Sequence, residues 1–262
     1  MNELHALVIS TEGRIEVEEY GFGYGPDKPH ALYSGTKSFW GVAALEAARE
    51  AILDLDASVA GHLPEFAAGA RAKITPRMLL QMTAGYGFGG LGKAVPTYDR
   101  ALDIELKNAP GTTFTYGGIP LQVFGACFAR ALSARNQTPH DYLRETVLKP
   151  AGVEVAAWRE LSDGTHPLPT GASLTARAWL AYGRYVLENH ARYADAFRGS
   201  AANARYGLCW WLAPPRLPED IFYASGAAGQ ALYVIPSRTT VVVRFGKSTS
   251  HNHATFLKRL LA

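Results

Sequence analysis

Residues 33–40 read YSGTKSFW, and an apolar, alanine-rich run comes directly after them. A hydroxyl, Ser34, stands three positions before an amine, Lys37. Residues 34–55 contain no proline and carry their charges late, at Glu46, Arg49 and Glu50, which predicts a helix. If that helix opens at Ser34, positions i and i+3 share a face and the ammonium can reach the hydroxyl. A serine hydroxyl is a poor nucleophile until a base takes its proton. A lysine can be that base only where burial or nearby positive charge pulls its pKa toward neutrality. The positive end of a helix dipole would also favour negative charge developing there. Taken alone, S-x-x-K is frequent by chance, and an ordinary first turn with Ser34 as the N-cap is the favoured reading.

The rest of the chain narrows the setting. Its 262 residues, 48% hydrophobic and 19% charged, fit one large globular domain or two lobes sharing a core. A chain of this length buries enough apolar surface to need no metal or disulfide staples. The net charge of +3 is mild, and no Lys/Arg-rich run marks a nucleic-acid partner. Cys127 and Cys209 both lie in apolar stretches and read as buried, reduced thiols. The opening MNELHALVIS lacks a basic n-region and a long apolar run, and no stretch approaches the ~20 apolar residues of a membrane span. The expectation is a cytoplasmic protein without membrane association.

Both ends of the chain are rich in strand signals. HALVIS and RIEVEEY flank Glu12-Gly13 and predict a hairpin. Near the other end YGLCWWLA, IFYASG, QALYVIP and TTVVVRFG are short β-rich runs, and Pro236-Ser237-Arg238 turns the last two into a second hairpin. A final helix is expected over ATFLKRLLA. Between the two ends the pattern is helix and loop. Thr75 and Pro76 open one helix, and YDRALDIELKN holds another. Leu121, Phe124, Phe128 and Leu132 line one face of a third. Further helices are expected around PHDYLRETVL and over 172–190. The order predicts an α/β sandwich whose sheet joins the termini, with a helical insertion.

Two other motifs carry little chemistry. Gly87-Phe-Gly89-Gly-Leu-Gly92 matches G-x-G-x-x-G, but a helical pattern precedes it and Pro96 comes where a helix should open. It reads as a loop beside a cleft. His251-Asn-His253 has no acidic or cysteine partner at ligand spacing and reads as a surface helix start. No G-x-S-x-G elbow is present.

The segments downstream of YSGTKSFW decide between its two readings. SGTKSF heading an Ala-rich helix resembles the S-x-x-K-S-F helix of the penicillin-recognising serine hydrolases, the superfamily of serine beta-lactamases and penicillin-binding proteins. LDLDASVAGHLPEF, ITPRMLLQMTAGYGF, PGTTFTYGGIPLQVFGACFARA, TGASLTARAWLAYGRYVL and FYASGAAGQALYVIPSRTTVVV resemble later family segments in the family's order. Each segment alone is weakly specific; six in order are strongly so. The resemblance spans nearly the whole chain. It implies a single beta-lactamase/transpeptidase-like domain of α/β (α+β) class, with an antiparallel sheet flanked by helices. The α/β lobe would be discontinuous, about 1–53 and 171–262, with an all-helical lobe inserted at about 54–170.

The resemblance also implies roles. Ser34 takes the nucleophile's place and Lys37 that of its base partner. Tyr116 falls on the tyrosine of Y-x-N, which shuttles protons. The K-x-G or H-x-G motif lands on Ala224-Ser225-Gly226, and Ala227 would lend a backbone N–H to the oxyanion hole. Two positions depart from the family. Gly118 replaces the Asn of Y-x-N, and Ala224 replaces the cation. The acylating groups are retained while the grip on an anionic beta-lactam is lost, with Ser225 or Arg244 as possible compensation. That combination is similar to the esterase and aminohexanoate-oligomer hydrolase branches. The expected function is therefore a cofactor-free, metal-free serine hydrolase acting on a small-molecule ester or amide. A beta-lactamase or D-amino-acid peptidase, and an idle family member acting as a binding domain, are the alternatives. Gly118, Tyr86 and Phe88 are substrate-cleft candidates, with Trp40, Trp210 and Trp211 as further apolar wall.

Overall fold

A computed structural model describes residues 2–89, 94–248 and 250–262. The first strand, β1 (Asn2–Thr11), turns back into β2 (Arg14–Tyr20). Glu12 (φ 50°) and Gly13 (φ 80°) are both left-handed there, the twist that suits a two-residue hairpin. After the short β3 (His30–Ala31), a 3-10 turn over Tyr33–Lys37 leads into α1 (Ser38–Arg49). The middle of the chain supplies α2 (Pro76–Leu80), α3 (Tyr98–Leu102), α4 (Ile119–Ala131) and α5 (Pro139–Leu143), the last running on into a π turn over Arg144–Leu148. Then come β4 (Ala157–Trp158), β5 (Ala172–Leu174) and α6 (Ala176–Glu188). The chain closes with β6 (Trp211–Leu212), β7 (Phe222–Gly226), β8 (Gln230–Ile235), β9 (Thr240–Ser248) and α7 (His253–Leu261).

Six strands form one antiparallel sheet in the order β2-β1-β9-β8-β7-β6, so the two ends of the chain meet at the β1–β9 pair. The sheet's alternation divides its side chains between two layers. Phe222, Ala224, Leu232, Val234, Val241 and Val243 enter the main core with α1 and α6. Tyr223, Ala231, Tyr233 and Val242 face the other way and pack on Leu257 of α7. The main core also takes in Leu79, Leu121, Phe124 and Phe128 from the helical insertion, so one apolar interior serves both. Among the described residues no helix is long and apolar enough to cross a membrane.

Three local expectations need correction. The helix does not open at Ser34: the first turn is 3-10, and no side chain caps it. Residues 172–174, read as helix, form β5, and Thr175 is the N-cap of α6, its hydroxyl accepting from the Ala178 N–H. The stretch 54–170, read as all-helical, contains β4. It joins β5 and β3 in a second sheet of order β3-β5-β4. These strands are two or three residues long, too short for alternation to declare itself.

Candidate active site

The Tyr33–Lys37 turn places Ser34 and Lys37 one above the other, because side chains at i and i+3 eclipse in a 3-10 helix. Lys37 Nζ donates to Ser34 Oγ at 2.8 Å. It also donates to the Pro169 carbonyl at 3.0 Å and lies 4.8 Å from the centre of the Tyr116 ring. Lys37 is 4% exposed and has no carboxylate partner among the described residues. Burial pulls its pKa down from 10.5 to about 8. Ser34 therefore caps no backbone N–H. It accepts from an amine held close to neutrality.

Backbone geometry presents the serine. Tyr33, just before it, is left-handed at φ 48°, a conformation that costs a non-glycine residue about 1 kcal/mol or more. Strand β7 packs against this turn. Gly226 permits the approach, since a Cβ there would sit 2.1 Å from the Leu32 carbonyl oxygen. The chain then turns through Ala227–Gly229, with Ala228 left-handed at φ 61°. Ala227 and Ser34 line the same cavity.

Tyr116 stands in an aromatic bracket, edge-on to Tyr206 and tilted against Trp211 with ring centres 5.8 and 5.3 Å away. Burial pushes its phenol up to about 12, and interaction with Ser34 works in the opposite direction. At neutral pH the phenol keeps its proton while the lysine is far nearer to losing one.

Opposite Lys37, a strap over Pro167–Gly171 completes the site. Leu168 is latched twice, its carbonyl accepting from Trp40 Nε1 at 2.7 Å and its N–H donating to Gln122 Oε1 at 2.9 Å. The same Gln122, fully buried on α4, donates through Nε2 to the Pro96 carbonyl on the cavity's other wall. These latches hold the Pro169 carbonyl on the lysine. Gly118 lies beside Pro169, and a Cβ on it would come within 3.3 Å of Pro169 Cγ.

The cavity, of about 590 Å³, is lined by Tyr33, Ser34, Lys37, Tyr116, Gly118 and Ala227 together with Phe88 and Gly89. Residues 90–93, which include the end of G-x-G-x-x-G, lie outside the described residues; Phe88 and Gly89 line the cavity from the described part of that loop. Several expected residues are elsewhere. Tyr86 is 1% exposed and bridged to Leu106, and Trp40 and Trp210 are core. Trp211 reaches the site only by backing Tyr116. Ala224 is buried in the main core, and Ser225 and Arg244 lie on the α7 face, so neither compensates for the missing cation. Ser225 Oγ is hydrogen-bonded to His253 Nε2 at 3.0 Å, and the Tyr233 hydroxyl joins His253 Nδ1 to His251 Nε2 at 2.8 Å each. These histidines start a helix, as expected, but turn their rings inward. The strap was missed in the sequence; its one signal was the Pro-Leu-Pro of residues 167–169.

A family model described as Beta-lactamase matches residues 5–260. The chain belongs to the beta-lactamase family. This agrees with the superfamily resemblance carried by YSGTKSFW and the segments after it. Among solved structures, a Bacillus anthracis protein assigned as a 6-aminohexanoate-dimer hydrolase superposes with a TM-score of 0.82 at 19% identity, covering 99% of this chain and 78% of that one. The hydrolase EstCE1, which has promiscuous acyltransferase activity, gives 0.76 at 17% identity, covering 96% and 91%. A class C beta-lactamase from Rhodobacter sphaeroides gives 0.76 at 16%, covering 99% and 95%. At these identities the likeness shows the beta-lactamase/transpeptidase fold. The protein flp of Staphylococcus aureus strain MW2 is 24% identical over 176 residues, 59% of this chain. The match spans about a third of that relative's length (34%).

Proposed function

We propose that this beta-lactamase-family chain is a serine hydrolase that forms a covalent acyl-enzyme at Ser34, with small-molecule esters preferred over amides and beta-lactams. The observation that carries the reading is the 2.8 Å contact between Ser34 Oγ and a buried Lys37 that lacks a counter-ion among the described residues. A lysine brought down to about 8 is neutral in a useful fraction of molecules near pH 7–8, whereas the Tyr116 phenol at about 12 is not ionised there. Lys37 is accordingly the base, and Tyr116 the relay to the leaving group.

In acylation the Ser34 proton passes to neutral Lys37 as Oγ bonds to the carbonyl carbon. The oxyanion rests on the N–H groups of Ser34 and Ala227. Collapse breaks the bond to the alcohol or amine, which receives the proton from the Lys37 ammonium through Tyr116. Water then attacks the acyl-enzyme and gives one proton to Lys37. Ser34 leaves the second tetrahedral intermediate, takes that proton back, and the carboxylic acid departs. The preference for esters rests on Gly118 and Ala224, which supply neither an amide-binding carboxamide nor a cation for a penicillin carboxylate.

A fluorophosphonate probe tests the nucleophile: labelling confined to Ser34 and lost in Ser34→Ala is expected, and an unlabelled wild type would sink the proposal. Turnover of p-nitrophenyl butyrate against a chromogenic cephalosporin tests the preference; faster cephalosporin hydrolysis reverses it.

A further inference from the structure

The cavity around Ser34 is positively biased. Among its described lining residues the charged side chains are Lys37 and Arg159, and neither Asp nor Glu is present. Lys37 is engaged by Ser34 and Pro169. The exposed Arg159 guanidinium, at the cavity's edge, has neither an ion pair nor a hydrogen bond among the described residues.

Its backbone is fixed by contrast. The Arg159 N–H donates to the Gly171 carbonyl at 3.1 Å, and the Arg159 carbonyl is hydrogen-bonded to His166 Nδ1 at 3.1 Å. The neighbouring Trp158 Nε1 donates to the Pro167 carbonyl at 3.2 Å. Arg159 is therefore tied through its backbone to the strap that meets the lysine, and it lines the same cavity as Ser34. The remaining wall, with Phe88, Val95, Pro96, Ile104 and Ile119, is apolar.

We propose that Arg159 is a specificity residue that binds a carboxylate carried by the substrate outside the scissile bond, so that the preferred substrates are apolar esters bearing one such anion. A guanidinium meets a carboxylate through two parallel N–H bonds, and here no protein acid among the described residues competes for it. The anion would be held from the strap, in place of the cation that β7 lacks at Ala224. This rests on the acyl-enzyme reading above.

The test uses two matched pairs, each a free carboxylate and its neutral methyl ester. With the anion on the acyl side, p-nitrophenyl hydrogen adipate is compared with p-nitrophenyl methyl adipate. With the anion on the alcohol side, 4-carboxyphenyl butyrate is compared with its methyl ester. Wild type is expected to favour the anionic member of at least one pair by about tenfold in kcat/KM, mainly through KM. The ratio should fall toward one in Arg159→Gln, be partly kept in Arg159→Lys and invert in Arg159→Glu. A wild-type ratio near one in both pairs, or a ratio that survives Arg159→Gln, overturns the proposal. If no ester is cleaved and the fluorophosphonate leaves Ser34 unlabelled, it is the acyl-enzyme reading that fails. Arg159 is then read directly, by NMR of its Nε–H in Ser34→Ala titrated with monomethyl adipate against dimethyl adipate. A shift with the anion alone supports the anchor, and no shift with either overturns it.

Discussion

Gly118 and Pro169 are close neighbours: a Cβ on Gly118 would lie 3.3 Å from Pro169 Cγ, tight enough to push the ring by a few tenths of an ångström, and 3.5 Å from its Cβ. The carbonyl of that same Pro169 accepts from Lys37 Nζ at 3.0 Å. On the resemblance Gly118 stands where the family motif has Asn, and beside it the strap from residues 167–171 meets the lysine with a backbone oxygen.

Gly118→Asn should therefore not restore the family site. The larger side chain must displace Pro169 and pull its carbonyl from Lys37, lowering kcat/KM for p-nitrophenyl butyrate by on the order of tenfold or more. Pro169→Ala alone should cost little, because the carbonyl remains. Combined with Gly118→Asn it should recover much of the loss. A double-mutant cycle on kcat/KM checks this, and additive losses would contradict the shared-space account.

On the proposed reading Lys37 governs the pH profile, and its burial carries a stability cost. Acylation should rise with pH along an apparent pKa near 8, as measured by pre-steady-state release of p-nitrophenol. Tyr116→Phe should keep that profile while lowering kcat by roughly 10²–10⁴-fold. The stability effect has a definite sign. The unfolded lysine holds its proton up to 10.5 and the folded one only to about 8, so the folded state binds fewer protons between these values. The lysine's penalty is in full force below about 8 and is relieved as pH climbs toward 10.5. Lys37→Met should abolish activity yet raise stability near pH 7 by on the order of 1–2 kcal/mol, the removed desolvation being partly offset by the unpaired Pro169 carbonyl. Chemical denaturation of wild type and variant at pH 7 and 10 measures both effects.

How far the sequence reached can be judged residue by residue. The termini-joining sheet was legible because HALVIS, QALYVIP and TTVVVRFG are β-rich runs and Glu12-Gly13 and Pro236–Arg238 are explicit turn signals. The Ser34–Lys37 pairing was legible because it is local, three residues apart. Pro169, Arg159 and Gln122 were not, since the Pro169 carbonyl meets Lys37 across 132 positions and the Gln122 side chain meets Leu168 across 46, and no spacing rule connects them. Ser225 failed differently. The resemblance placed it on the substrate strand, but strand alternation turns its side chain toward α7, with Tyr223. The inward rings of His251 and His253 were hidden because Tyr233, their shared partner, lies on β8 rather than near them at the helix start.

Those two histidines give an acid-side expectation. Burial pushes both down to about 4 from an ordinary 6.5, with the charges of His251 and Arg244 adding for His253, and that of Arg244 for His251. The unfolded histidines take up protons below about 6.5 while the folded ones resist until about 4. Stability is therefore full above 6.5 and declines as pH falls through that window. Thermal melts from pH 7.5 to 4 should show that decline, alongside a contribution from His140, also held near 4 by burial. His253→Phe should flatten the profile, although removing the Ser225 partner lowers the melting temperature at pH 7. A slope unchanged in His253→Phe and His251→Phe would remove these groups from the account.

The turn after β7 offers a test of rigidity. Ala228 sits at φ 61°, where a glycine is unstrained, and it directly succeeds the residue whose N–H is assigned to the oxyanion hole. Ala228→Gly removes about 1 kcal/mol of left-handed strain but returns backbone freedom to the unfolded chain, so stability should change by less than about 1 kcal/mol. The donor at Ala227 would no longer be held against one orientation. Because an oxyanion donor acts through preorganisation, kcat should fall several-fold while KM stays nearly constant. An unchanged kcat in a normally folded Ala228→Gly would mean that the strand itself, through Gly226 against Leu32, aims the N–H and that the left-handed Ala228 does not.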